Sequence, residues 1–219
     1  MQTSPRPAAL IAGISILLMA FTAIYSFGLV LSPVYHVNDA SATFSAISQS
    51  LESFKMGING WWFILVMDIT AAYGLCYALA PANAKWSVLV AASRIVYGLI
   101  FGVAIYSLSQ VPGFVEDGNE KEVLWHMDSF MNTWSWGLII FGFHLMFIGF
   151  GLLRFARSPE WLAYLVLLAG IAYVISHGAK HLPFDPATAA SIEKGFTIPM
   201  ALGELLFAIW LVVKGGKQH

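Results

Sequence analysis

Six stretches of this chain are each long and apolar enough to cross a lipid bilayer, and that pattern leaves few folds open. A spanning helix needs about 20 mostly apolar residues, because in hydrocarbon an α-helix satisfies its backbone polar groups within its own segment. The stretches run roughly over residues 8–31, 61–79, 86–109, 133–153, 159–176 and 196–213. They predict an all-α, polytopic membrane helix bundle of six transmembrane helices, forming a single domain over residues 1–219. Composition supports this: 58% of residues are hydrophobic and 11% charged, against about a quarter charged in a soluble domain. The first run has only Arg6 before it and lacks a small-x-small cleavage site ahead of Tyr35, so it reads as a retained transmembrane helix rather than a signal peptide.

The connections alternate between short turns (residues 81–85 and 154–159) and longer polar segments (32–60, 110–132 and 177–195). Charge follows the same alternation. One side holds Arg6, Lys85, Arg154, Arg157, Lys214 and Lys217 with Glu160 as its acid. The other holds Lys55, Lys121, Lys180 and Lys194 among Asp39, Glu52, Glu116, Asp117, Glu120, Glu122, Asp128, Asp185 and Glu193. The positive-inside rule then places both termini in the cytoplasm and the long loops outside, in the cell (inner) membrane. Trp61, Trp62, Trp86, Trp134 and Trp161 fall near segment ends, where an aromatic belt is expected. Phe44, Ile47, Leu51 and Phe54 recur at helical spacing, which predicts an amphipathic helix over 40–54 in an outer loop. A second helix is expected over 120–132, leading into the fourth span.

Ionisable residues inside the apolar runs carry the functional question, because a charge at that depth costs several kcal/mol unless it is protonated, paired or faces a polar cavity. Glu204 sits near the middle of the last span, Asp68 in the second and Arg94 in the third. Arg94 shares a face with Gly98 and Gly102 at four-residue spacing, a pattern that lets helices approach closely and turns Arg94 into the bundle. At 1.5 Å per residue all three fall within reach of one another, so an Arg94–carboxylate pair is available. Two acids and one base leave one carboxyl without a cation, free to exchange a proton or to hold a cation. A purely structural charge network that sets helix register is the competing reading. His144, deep in the fourth span, is a hydrogen-bonded core residue or a relay at the level of Glu204.

The other histidines form a second constellation. His36, His126, His177 and His181 all lie at or beyond the outer ends of spans. His177 and His181 are four apart and share a helix face if the fifth span continues, with Tyr173 on the same stripe. With His126, Asp128 or His36 they are candidate ligands for a divalent metal, although HGAKH lacks the glutamate of an HExxH motif. A bis-histidine haem is disfavoured, since His144 has no histidine at its own depth. Cys76 lies inside an apolar run and reads as packing. A net charge of −1 with no basic block makes nucleic acid a poor partner. The sequence carries no nucleophile elbow, phosphate loop or nucleotide fingerprint.

Several stretches resemble a bacterial family of multi-pass membrane proteins defined by a domain of unknown function (number four-three-eight-six). FGFHLMFIGFGLL (residues 141–153) is similar to the family's FGLHL…G pattern. SPEWLAYLVLLAGIAYVI (158–175) is similar to its S…LP…L…AG…Y run, and PMALGELLFAIWLVVKG (199–215) to its closing GE…WL…KG. The middle of the chain fits too, from Asp68 through LAPAN (79–83) to Ser93-Arg94-Ile95-Val96. The resemblance implies a polytopic helical bundle, coincides with Asp68, Arg94, His144 and Glu204, and implies no particular activity. His177, His181 and His126 lie outside its pattern.

Three functions are compatible with these residues. The preferred expectation is a membrane protein that binds or moves a small or lipophilic ligand at a polar midplane site, with Arg94 as anchor, Glu204 as the titrating group, and Asp68 and His144 in support. A membrane-embedded enzyme would use the same carboxylates as acid and base, or the outer histidines for metal-assisted hydrolysis, on a lipid-like substrate. An accessory subunit of a larger membrane complex, or a homo-oligomer, would use the buried charges structurally.

Overall fold

The computed structural model describes residues 5–156 and 158–216. Arg157 and Lys217, part of the charge asymmetry above, lie outside the described residues. Among the described residues the secondary structure is helical throughout. Helix α1 spans Pro5–Val34, α2 Ala40–Gln49, α3 Leu51–Leu79, α4 Ala84–Leu108, α5 Val111–Glu116, α6 Glu120–Arg154, α7 Glu160–Ala179 and α8 Pro186–Val213. Six of these, with α4 continuing through a tight turn into α5, are long and apolar enough to cross a membrane, as the hydropathy pattern predicts.

Local chemistry sets the boundaries. Asp39, Asn83, Asn119 and Asp185 each cap a helix, their side chains accepting from Ala42, Trp86, Glu122 and Thr188 backbone N–H groups. The expected helix over 40–54 is interrupted at Ser50, whose backbone (φ −130°, ψ 28°) is not helical. Ala40–Gln49 is therefore a separate helix, and Leu51 and Phe54 belong to the start of α3. The apolar stripe is still used, since Ile47 and Phe54 are buried. Helices α3, α6 and α8 begin 10 to 13 residues before the apolar runs of the sequence. They project past the hydrocarbon-length segments at the end away from the termini.

That extension corrects the aromatic belt. Trp61 lies a third of the way along α3, is 2% exposed, and packs against Trp134 with ring centroids 5.1 Å apart. Trp86 is also buried and donates from Nε1 to the Phe147 carbonyl at 2.8 Å. Trp62 and Trp161 are exposed, as belt residues would be.

Each span packs on the next in sequence order: α1 on α3, α3 on α4, α4 on α6, α6 on α7, α7 on α8, and α8 back on α1. The six form a closed ring. Glycine permits the tightest crossing, where Gly142 of α6 meets Gly170 of α7. A Cβ on either would lie 2.6–2.7 Å from the other's carbonyl oxygen, so any side chain there forces the helices apart. Gly98 and Gly102, expected to mark such a crossing on α4, instead accommodate the Leu65 side chain at ordinary contact distance. The α8–α1 closure is fastened by Arg6, whose guanidinium donates to the Leu211 and Gly215 carbonyls at 3.1 and 2.9 Å and to that of Val212. These carbonyls lie at the C-terminal end of α8, the negative end of the helix dipole.

Two helices facing the interior are irregular. In α1, residues Ile24–Leu31 adopt a π-helix, a wide form that recurs at functional sites. Ser32 N–H bonds back five residues to Phe27, and Pro33 follows with no N–H to offer. In α8, Pro199 sits inside the helix one turn before Gly203-Glu204 and removes one backbone hydrogen bond there.

Candidate functional site

The charged residues at mid-depth of the spans and His144 lie in one layer. Asp68 stands 11 residues before the end of α3, Arg94 10 after the start of α4, His144 10 before the end of α6, and Glu204 nine before the end of α8. At 1.5 Å per residue each is about 14–16 Å from the helix ends nearest the termini, half the thickness of a hydrocarbon core of about 30 Å.

Within that layer the charges sort themselves. Arg94 Nη2 lies 2.7 Å from Asp68 Oδ1, with each side chain 3% exposed. Arg94 Nη1 is 3.2 Å from His144 Nε2, and its guanidinium sits over the Phe141 ring at 5.3 Å. Arginine only donates, so His144 Nε2 must accept. The imidazole proton is therefore on Nδ1, which lies 2.9 Å from the Val90 carbonyl. His144 is thus neutral and orients the arginine that neutralises Asp68. Ser93 Oγ, 3.1 Å from the same Nδ1, completes the cluster.

Among the described residues, no cation forms an ion pair with Glu204. Its Oε1 accepts a 2.6 Å hydrogen bond from the Tyr173 hydroxyl, and the buried pair Asp68–Arg94 stands apart from it. The arithmetic of two acids and one base therefore resolves with Glu204 as the carboxyl lacking a cation. Tyr173 is held by Phe141, edge-on at 5.3 Å, and by His177, stacked at 5.9 Å.

A cavity of about 310 Å³ occupies the centre of the ring and is lined from all six spans. Asp68, Arg94, Tyr97, Tyr173 and Glu204 supply its polar wall. Trp61, Phe101, Trp134 and Phe141 supply aromatic surface, and Ile16, Met19 and Ile24 of α1 the apolar remainder. Two buried lining donors, Arg94 Nε and Trp134 Nε1, have no hydrogen-bond partner among the described residues. A second cavity, about 460 Å³, shares Trp134, Leu138 and Tyr173 with the first. It continues past Ser135 and His177 to Lys180, Glu193 and Lys194 at the end away from the termini.

The candidate metal ligands are not brought together. Among the described residues no group of three or more His, Cys, Asp or Glu side chains could hold a metal ion. The stripe of His177 and His181 ends because α7 stops at Ala179. His181 lies in the following turn, stacked on Trp136 at 3.8 Å, while His177 faces Ser135. His126 bonds Ser107 and stacks on Phe114. Asp128 accepts from the Tyr35 hydroxyl at 2.6 Å. Burial and the neighbouring Asp128 carboxylate push Tyr35 well above the usual tyrosine range. His36 is in the loop before α2, its backbone N–H bonded to Thr43.

Sequence reasoning missed Tyr173, Tyr97, Trp61 and Trp134 as site residues. Tyr173 had a signal in its place on the stripe leading to His177. The direction of that stripe towards Glu204 needed the α7–α8 packing, in which Gly203 lies against Ala169.

A family model described as a domain of unknown function (DUF4386) matches residues 11–215. An uncharacterised protein of Archaeoglobus fulgidus is 30% identical over 164 residues, covering 73% of this chain and 84% of the relative. That relative is archaeal, where the sequence resemblance pointed to bacteria. No solved structure matches the chain.

Proposed function

We propose, for a chain that belongs to the family defined by this domain of unknown function, that it is a cell-membrane protein binding a small or lipophilic ligand in the central cavity. Both termini lie in the cytoplasm on this reading, following the six-to-one excess of basic over acidic residues at their end. The ligand enters from the outer side, through the second cavity.

One observation carries the reading: a 310 Å³ chamber at mid-depth, lined from all six spans, whose wall joins charged and aromatic side chains from five of them. Its volume is at the lower bound of ordinary ligand pockets, about 300–1,000 Å³. Its few polar groups interrupt an otherwise apolar surface, the composition that holds and orients a small molecule. A bundle using its buried charges only for register gains nothing from a chamber of this size, since unfilled volume in a core costs packing energy.

The test is native mass spectrometry of protein purified in mild detergent, with Leu138→Trp as the comparison because Leu138 lines both cavities. A small molecule retained by the parent chain and lost from Leu138→Trp is expected. No bound molecule in either, together with no melting shift across a panel of lipids and lipophilic metabolites, overturns the reading.

A further inference from the structure

The central cavity has one carboxylate too many, and its surroundings say what complements it. Glu204 faces the space with Tyr173 as its hydrogen-bond donor and, among the described residues, no cation within ion-pair distance. Arg94, the base of the layer, is engaged by Asp68 at 2.7 Å. Six aromatic side chains share the wall with aliphatic ones, Trp61 and Trp134 lying 5.1 Å apart and Tyr97 stacked on Phe101 at 5.6 Å. A carboxylate beside several aromatic rings in a desolvated chamber attracts a cation twice, through its charge and through the ring quadrupoles. The end away from the termini carries nine acidic residues against four lysines, while the second cavity itself is lined there by Lys180, Glu193 and Lys194, so the preference for a cation is set at Glu204 and not along the path. A metal ion is a poor occupant, since among the described residues no three His, Cys, Asp or Glu side chains gather into a ligand set, and Asp68 is engaged by Arg94.

We infer that the cavity takes a lipophilic organic monocation, an alkyl- or arylammonium whose charged head sits against Glu204 and whose apolar body fills the aromatic chamber. This rests on the central cavity being a ligand site and names the chemistry of its ligand. The cation and a proton compete for the same carboxylate, so binding weakens as pH falls through the titration of Glu204. Other groups that bear on it are Asp68 from α3, Arg94 and Tyr97 from α4, and Tyr173 from α7, with His177 beyond it. The α1 wall, Ile16 to Ile24, presents none.

The experiment is equilibrium dialysis of benzyltrimethylammonium against the purified full chain, with protein-free micelles as the baseline. Its carbon isostere neopentylbenzene and the anion phenylmethanesulfonate are run in parallel. Preference for the cation over the isostere of at least tenfold is expected, falling as pH is lowered and lost in Glu204→Gln. Because Glu204→Gln can fail to fold, the cation-to-isostere ratio on the parent chain is decisive by itself. Equal binding of the isostere, preference for the anion, or a preference unchanged in a folded Glu204→Gln overturns the inference while leaving a ligand cavity in place. Absence of binding by all three probes overturns it too, and removes the cavity reading as well when no molecule co-purifies.

Discussion

The Tyr173 hydroxyl and the Glu204 carboxylate meet across the α7–α8 interface at 2.6 Å, the strongest polar contact either makes inside the bundle. An intramolecular hydrogen bond contributes about 0.5–1.5 kcal/mol net. Tyr173→Phe is therefore expected to lower stability by that amount. In a double-mutant cycle with Glu204→Gln, melting in mixed micelles should reveal coupling of at least about 0.5 kcal/mol. Additive losses would mean that the two side chains are neighbours without being partners.

Asp68 and Arg94 predict a different pattern. Removing one member of a buried ion pair strands the other, at a cost of about 3–5 kcal/mol, whereas replacing both by apolar residues is often close to neutral. Asp68→Asn should thus melt well below the parent, and Asp68→Leu/Arg94→Met should recover most of the loss. The comparison also separates roles. If the pair only sets helix register, the double variant keeps its ligand; if it shapes the cavity, the variant folds and binds less.

At the α6–α7 crossing the constraint is steric. A Cβ at Gly170 would meet the Gly142 carbonyl at 2.6 Å and the Met146 backbone nitrogen at 2.8 Å. Neither is a flexible side chain that can move aside. Gly170→Val should cost about 1–3 kcal/mol by overpacking, while Gly178→Val, where nothing lies within 4 Å, should not. Similar melting temperatures for the two variants would contradict the packing.

A pH dependence is expected at the start of α8. Asp185 caps that helix through the Thr188 hydroxyl and backbone N–H, and those bonds hold its carboxyl below the ordinary value of 3.8. A depressed folded-state value means the cap is fully present above pH about 4 and is lost as pH falls through the lower folded value. Amide-exchange protection of the first turn of α8 should decline over that window in the parent. In Asp185→Asn, which keeps an acceptor but does not titrate, it should stay flat. Identical profiles would remove the carboxylate from the cap.

The spans and the composition of the polar layer are legible in sequence because both follow from one energetic fact. Hydrocarbon tolerates about 20 apolar residues at a time and few charges, so Asp68, Arg94 and Glu204 stand out against their surroundings. Which acid takes the arginine is not legible, since both lie within its reach and the choice is made by helix rotation. Trp61 and Trp134 mislead for a related reason. They sit at the ends of apolar runs but not of helices, because α3 and α6 continue through residues too polar to register in a hydropathy window. Tyr173 is silent because a tyrosine in a span is unremarkable until its hydroxyl has a partner on another helix.

The Arg6 fastening joins residues 205 and 209 positions apart, and so places a clock inside the molecule. Spans emerge from the ribosome one after another, and each of the first five can dock on its predecessor on arrival. The small-residue face of α1, with Gly13 against the Ala208 carbonyl, waits facing lipid until α8 is made. Glu204 arrives with that last helix. Until then the chamber is a trough open to the bilayer and lacks the Glu204 carboxyl. On the proposed reading, the arrival of α8 therefore supplies the ring closure and the residue that faces the ligand in one step, after the five spans before it.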